Sequence, residues 1–403
     1  MVVVATAADQ VPDPAEEAIE FECRRFGAGA SERKQVVSWL KERGVREVVM
    51  ESTAQYWKPV WLDLEPHFEK LHLAQAHSNR APQGRKGDFR DAKRLARRLL
   101  ADELILSFVP DPEQRAWRTI TRGKHQLIRD RVRLQNQLEA LLEEARIKLS
   151  SVISDLLGQS GRRILKALAE GQTDPDRLAE LGDDRLRCSH QELTDALTGS
   201  PEPIHRALLK LYLERLELLD QQIGKLDQLV ATQLKKHEEA VIRVAEIPGF
   251  GVDSAQQIIA EMGVDAEAFP SAAQFASWAG VCPGSQESAE QNHSSRSPKG
   301  NRFVRRILNQ AAHAAVKKKG SYFQSLFRRW LPALKYQGAI GAIAHRLGRL
   351  VWKILHDRVH YSEQGQETNP KAKKRRTQKM VQALRKLGYQ VTLTPISPAT
   401  QHT

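Results

Sequence analysis

The chain has 403 residues, of which 41% are hydrophobic and 28% are charged, and its formal net charge is +13. This length indicates two or three domains, and neither a membrane span of ~18 apolar residues nor a signal peptide is recognisable. The positive charge fits two alternatives, a nucleic-acid partner or a basic protein that its charge keeps soluble. Cys23, Cys188 and Cys282 are scattered without CxxC spacing, which predicts reduced thiols in a cytoplasm rather than structural zinc or disulfides.

Residues 1–110 alternate short β-type runs with helical runs, which is typical of an α/β layer. The turn-rich stretch DQVPDPAEE separates the first two β-type runs and predicts a hairpin. In chain order the predicted elements are strands MVVVATA (1–7) and IEFECRRFG (19–27), a helix at 32–44, a strand at 45–52, a helix at 57–65, a strand at 68–75 and a helix at 88–103.

Residues 111–240 carry two segments in which apolar residues recur at steps of three and four. The spacing predicts two long helices that pair as an antiparallel coiled coil, or that pair with a second subunit. Between them, about 151–200, short helical pieces with Gly, Pro and Asp indicate an insertion that caps the hairpin. The repeating residues are Leu127, Leu134, Leu138, Leu141 and Ala145 in the first segment, and Leu209, Tyr212, Leu216, Leu219, Ile223, Leu226 and Val230 in the second.

Residues 241–360 form a third predicted unit of short helices, glycine-containing turns, a basic loop and a long helix from Gly338 to His356. Residues 361–403 form a basic tail whose run KAKKRR (371–376) is expected to be solvated and to contact phosphates.

Three carboxylates of the first unit are candidates for chemistry. Glu51 ends an apolar strand, and the carboxyl end of a strand is where α/β sheets place their sites. Asp88 and Asp91 lie three residues apart in the basic stretch GRKGDFRDAKRLARR (84–98). Each acid also has a simpler interpretation. Glu51 alone is explained as a solvated residue at a strand end, and Asp88 and Asp91 as an i, i+3 pair neutralised by arginines. Together they form a set that can hold two Mg²⁺ ions, as in phosphodiester chemistry.

The stretch VIRVAEIPGFGVDSAQQIIAEMG predicts a helix, a tight turn and a second helix. Gly249 and Gly251 open the backbone amides of that turn, which is similar to a helix-hairpin-helix that binds phosphates; the alternative is a plain turn between helices. Further on, Phe275 and Trp278 are expected to pack in a small helical core. A serine-rich polar loop follows, and then a cationic cluster of Lys299, Arg302, Arg305 and Arg306.

Several of these stretches resemble the DEDD-type insertion-sequence transposases, the "insertion sequence one-ten" group. The resemblance covers nearly all of residues 1–360. It rests on the stretches MESTAQYWKPV, GRKGDFRDAKRLA, IKLSSVISDLLG, IPGFG, FASWAGVCPGSQESA and KGNRFVR.

The resemblance implies an RNase-H-like (RuvC-like) N-terminal domain with four acids, a coiled coil, and a mostly helical C-terminal transposase domain with a serine nucleophile. Glu51, Asp88 and Asp91 match the second, third and fourth acids and would bind Mg²⁺ or Mn²⁺. Ser288 matches the nucleophile, although its flank SAEQ departs from the family pattern, and Ser285 is the alternative. The implied composite site would bring the acids and the serine together. Implied nucleic-acid contacts are Arg85, Lys86, Arg90, Gly249, Gly251, Lys299, Arg302 and Arg305.

The first acid of the family pattern has no match. Asp9 and Asp13 lie in the turn DQVPDP, whereas the family places this acid on an opening strand. We expect that MVVVATA corresponds to the second strand of the family, so that the domain lacks its first strand and an upstream start codon encodes it. An in-frame apolar strand containing Asp is therefore predicted in the upstream DNA.

The implied activity is Mg²⁺-dependent DNA transposition or recombination in the bacterial cytoplasm, at the nucleoid. The implied partners are DNA, a structured guide RNA from the element ends and further copies of the chain in a dimer or tetramer, with no membrane. Two alternatives remain open: a structure-specific nuclease of the Holliday-junction class, and an inactive DNA-binding remnant.

Overall fold

The computed structural model describes residues 1–7, 19–76, 79, 87–284, 286–288, 291–294 and 297–363, and a few positions (377–378, 381–382, 385 and 390–392) beyond them. For 286–288 and 291–294 it describes the course of the backbone. The chain divides into two compact units, Met1–Asp111 and Pro112–Thr403.

The first unit contains four strands and three helices in its described residues. The predicted hairpin is confirmed, since β1 (Val2–Ala7) pairs antiparallel with β2 (Ile19–Arg24). β3 (Glu47–Glu51) pairs in parallel with β4 (Lys70–Ala74), as expected of strands joined through a helix. The helices are α1 (Ala30–Glu42), α2 (Trp57–Leu64) and α3 (Asp88–Leu100).

The two strand pairs do not join in the described residues, so each remains a two-stranded sheet. α3 packs against both β1 and β3. A small apolar core lies under α1, where Trp39 and Leu40 are buried with Val4, Leu64 and Phe68.

In its described residues, the second unit is helical apart from one short pair of strands. Its two longest early helices, α4 (Pro112–Glu144) and α9 (Pro203–Gln233), lie side by side. They run antiparallel within one chain, because Lys124 bonds to Asp227 and Arg131 bonds to Asp220. Leu134, Leu138 and Leu216, from the predicted repeat, are buried between them and the insertion. The insertion consists of α5 (Leu149–Val152), α6 (Gln159–Ala169), α7 (Pro175–Ala179) and α8 (His190–Leu197).

The remaining helices build the larger core of the second unit, in which Phe275 is fully buried and Trp278 packs against it. The predicted helix from Gly338 is the second half of a longer element, α14. Lys335 interrupts that element with φ 57° three residues after Pro332, which lacks a backbone donor. The elements are α10 (Glu238–Ala245), α11 (Val252–Met262), α12 (Ala272–Ala279), β5 (Gln286–Ser288), β6 (Gln291–Ser294), α13 (Arg302–Ala315) and α14 (Tyr322–His356).

Candidate functional site

Glu51 is the last residue of β3 and is exposed. The Thr53 hydroxyl donates a hydrogen bond of 2.8 Å to its Oε1. The backbone of the next residue, Ser52, still pairs with β4, because its N–H donates to the carbonyl oxygen of Ala74 at 2.9 Å. The carboxylate therefore stands at the carboxyl edge of the parallel pair, with most of its hydrogen-bonding capacity open to solvent.

Asp88 and Asp91 occupy the first turn of α3. Asp88 is exposed and Asp91 is half-buried. Negative side chains are favourable at this end of a helix because they oppose the positive pole of its dipole. This local effect explains how two aspartates are tolerated at the start of a helix, whether or not they bind a ligand.

The three acids have the right chemistry for Mg²⁺ or Mn²⁺, which prefer hard oxygen ligands. Throughout the described part of the chain, however, no group of three His, Cys, Asp or Glu side chains could hold a metal ion. The described residues therefore do not complete a metal site, and the assignment of these acids stays a prediction. Of the implied nucleic-acid contacts beside them, Arg85 and Lys86 lie outside the described residues, and Arg90 is exposed on α3.

The segment with the predicted nucleophile leaves the helical core after α12 and returns at α13. Ser288 is the last residue of β5, and its backbone lies opposite Gln291 of β6 in an antiparallel hairpin. Ser285 lies outside the described residues. The structure thus places Ser288 at the end of a short strand pair that lies between α12 and α13 in the sequence.

The base of this segment is closed by two glycines. Gly280 has φ 73°, and a Cβ on either Gly280 or Gly300 would overlap the backbone of the other. The N–H of Asn301 donates to the carbonyl oxygen of Trp278 at 2.9 Å. Residues 281–300 therefore begin and end at one point of the helical core.

A cationic surface lies where the segment returns. Lys299 and Arg302 are exposed, and Arg305 is half-buried. Arg302 lies over the ring of Phe303, with its guanidinium carbon 4.9 Å from the ring centroid. Positive side chains at the start of a helix add to the positive pole of its dipole, so this surface favours an anion such as a phosphate.

Helix α4 adds charge to this surface, which the sequence did not reveal. His125 packs edge-on against Phe303, with ring centroids 5.6 Å apart. Burial lowers the pKa of His125, and the cations of Arg306, Arg129 and Arg302 lower it further. A histidine surrounded in this way reports a strongly positive local field.

The two glycines of the IPGFG turn have different surroundings. Gly249 has φ 92°, and a Cβ there would overlap the carbonyl oxygen of Ala311 on α13. Gly251 is exposed with open space around its Cα, and its N–H donates to the Ser254 hydroxyl at 2.9 Å. Packing alone therefore explains Gly249, whereas Gly251 faces solvent at the start of α11.

Sequence comparison identifies the family. A profile of DEDD-type IS110 transposases matches residues 10–147, and a profile described as "Transposase IS116/IS110/IS902 family" matches residues 242–328. Together they cover more than half of the chain. The chain belongs to the IS110 group of transposases. It is therefore a DNA transposase, and its mostly helical architecture with few strands fits this group.

Two relatives of the transposase carry related names. A probable family 20 transposase of Pseudomonas aeruginosa is 24% identical over 348 residues, spanning 84% of this chain and 91% of the relative. A protein of Mycobacterium paratuberculosis, named as an uncharacterized 42 kDa protein of insertion element IS900, is 28% identical over 146 residues, or 36% of each chain. The first relative extends the similarity across both units of the transposase.

No helix in the described part of the transposase is long and apolar enough to cross a bilayer.

Proposed function

We propose that this transposase cuts and rejoins DNA through a serine–DNA intermediate formed by Ser288, and that Glu51, Asp88 and Asp91 bind the divalent metal of its DEDD-type domain. The observation that supports the serine assignment is the position of Ser288 in the strand pair that precedes α13, whose first turn carries cationic side chains. A bound divalent ion would supply charge neutralisation at a phosphodiester.

In the proposed step, the Ser288 oxygen forms a bond to the phosphorus atom of a DNA phosphodiester. A bond between that phosphorus and a sugar oxygen breaks, the serine proton passes to a base, and the departing sugar oxygen takes up a proton. Lys299, Arg302 and Arg305 bind the flanking phosphates and oppose the negative charge that builds up on the phosphoryl group. A second strand end reverses the step and releases the serine.

Covalent trapping tests this proposal. Wild-type protein incubated with Mg²⁺ and DNA of the element ends should yield a protein–DNA adduct that survives denaturation, and Ser288→Ala should yield none. Ser285→Ala is the matched control and should form the adduct at the wild-type rate. If Ser288→Ala still forms the adduct and Ser285→Ala does not, the nucleophile is misassigned.

The same assay tests the two alternatives that the sequence leaves open. The first is DNA binding without catalysis. A protein of this kind would shift DNA with a steep salt dependence and form no adduct. A nuclease of the Holliday-junction class would instead cleave branched DNA without covalent attachment, so the same assay separates all three.

We also propose that the protein works in the bacterial cytoplasm, at the nucleoid, as a homo-oligomer, a dimer or tetramer, guided by a structured RNA from the element ends. The basic composition supports a nucleic-acid partner of either kind. Sequencing of RNA that co-purifies with the protein, and its molar mass in solution, test the two partner assignments separately.

A further inference from the structure

Glu261 on α11 is almost completely buried, since only 1% of its surface is exposed. The proposed chemistry does not use its carboxylate. Arg122 of α4 binds it through two hydrogen bonds, Nε to Oε1 at 2.7 Å and Nη2 to Oε2 at 2.8 Å. Arg118, one turn earlier, lies 3.6 Å from the same carboxylate. A buried ion pair is weak evidence for stability, because desolvation offsets much of the attraction. The arrangement therefore calls for another explanation.

A further hydrogen bond of this carboxylate reaches the base of the segment that contains Ser288, residues 281–300, which is called the serine segment below. Asn301 donates from Nδ2 to Oε2 of Glu261 at 2.8 Å. Its Oδ1 accepts from the backbone N–H groups of Phe303 and Val304, which caps α13. Its own N–H donates to Trp278, the last turn of α12. Asn301 thus joins α11, α12 and α13 at the point where residues 281–300 begin and end.

We infer that Glu261 is a positioning residue, which acts through Asn301 to hold the base of the serine segment in one orientation relative to α4. The inference rests on the proposed function for the role of Ser288, but the contacts stand independently of it. Arg122 and Arg118 contact Glu261 directly. The hydrogen bond from Asn301 therefore adds little to the packing of α4 on α11. Its effect falls on the segment, which has no room for a side chain at Gly280 or Gly300.

Asn301→Ser separates this role from helix capping. Serine is as good an N-cap as asparagine, so α13 keeps its cap while the donor to Glu261 is lost. Ser189→Ala is the matched control, because it removes the N-cap of α8 in the insertion, away from the segment. Full-length protein is used throughout, and hydrogen exchange of amides in 286–294 is followed by mass spectrometry.

We expect exchange in 286–294 to accelerate by about tenfold or more in Asn301→Ser, with no change in the control. Adduct formation with element-end DNA should fall by up to ~100-fold, because small displacements of a reacting group have effects of this size. DNA affinity should stay within about twofold, because the cationic surface is intact.

A conservative variant of Glu261 serves as a comparison. Glu261→Gln retains an oxygen that can accept from Asn301, so it should keep much of the protection from exchange that Glu261→Ala loses. Unchanged exchange in Asn301→Ser, or equal exchange in Glu261→Gln and Glu261→Ala, would overturn the inference. If wild-type protein forms no adduct, the proposed function fails, while the exchange measurements still decide the role of Glu261.

Discussion

Two glutamates, one in each unit, illustrate opposite uses of a carboxylate. Glu51 lies exposed at the end of β3 and accepts a bond from the nearby Thr53 hydroxyl. Glu261 is buried and is bound by Arg122 and Asn301. A carboxylate whose oxygens are committed to internal donors has little capacity left for a metal or a substrate, whereas an exposed one at a strand end retains it. Burial and hydrogen-bond partners, rather than residue type, therefore distinguish a candidate catalytic carboxylate from one with a structural role.

The sharpest test of this contrast substitutes both glutamates. Glu51→Gln should reduce DNA joining by at least ~100-fold, since losing even an outer partner of a metal ligand has effects approaching this size. Its stability should not change, because the side chain is exposed. Glu261→Ala should instead lower the free energy of unfolding by about 1–3 kcal/mol, because it removes a buried hydrogen-bond acceptor from Asn301 and from two partly exposed arginines. Joining assays and urea denaturation measure the two effects.

Glu69→Gln is the control for Glu51, since Glu69 is an exposed glutamate of the same unit. It should alter neither activity nor stability. An active Glu51→Gln protein would remove Glu51 from the chemistry.

The IPGFG turn offers the same comparison on a smaller scale. Gly249→Ala should destabilise the second unit by at least about 1–3 kcal/mol, because its positive φ and its contact with Ala311 both exclude a side chain. Gly251→Ala should cost less, about 0.5–1 kcal/mol, because an added Cβ meets open space and alanine is only a poorer N-cap for α11. Thermal unfolding measures this difference. Salt-dependent DNA binding by Gly251→Ala then tests the phosphate role: unchanged affinity and salt slope would make the turn purely structural.

The local elements of the first unit were predictable because their signals are local. Alternating apolar runs and turn residues lie within a few residues of the elements that they define. The repeated spacing of leucines such as Leu134 and Leu216 predicted two long helices, but it left open whether they pair with each other or with a second subunit.

The contacts of Glu261 could not be predicted in this way. Its partner Arg122 lies 139 residues away in sequence, and Asn301 lies 40 residues away. No short sequence pattern encodes contacts over such separations, because they depend on how α4, α11 and α13 pack. For the same reason, the glycine-rich turn suggested phosphate binding at Gly249, although the packing of α13 is sufficient to require glycine there. The predicted metal site also depends on long-range placement, and its geometry did not follow from the motif.

The smallest expected effect concerns His125, whose side chain is neither exposed like that of Glu51 nor fully buried like that of Glu261. In the free protein, burial and the cations of Arg306, Arg129 and Arg302 keep its pKa below the usual value of about 6.5. Bound phosphates would offset those cations and raise this pKa, so binding would take up a proton. DNA affinity should therefore increase as the pH falls from 8 to 6, by up to about tenfold for each unit of pKa shift.

A titration of DNA affinity against pH measures this linkage. His125→Gln should flatten the dependence, whereas His190→Gln, at an exposed position in the insertion, should leave it unchanged. An equal slope in the two variants would show that DNA does not contact this surface.

The separate strand pairs of the first unit carry a consequence for handling the protein. Within the described residues β1, β2 and β3 each pair with one strand, whereas Leu106 bridges the second edge of β4. β2 carries Glu20, Glu22 and Arg24, and such charges discourage unwanted pairing. β1, with the sequence VVVATA, has no charged residue. Intermolecular strand addition should therefore begin at β1, which makes this short apolar ribbon the expected starting point of aggregation in concentrated preparations.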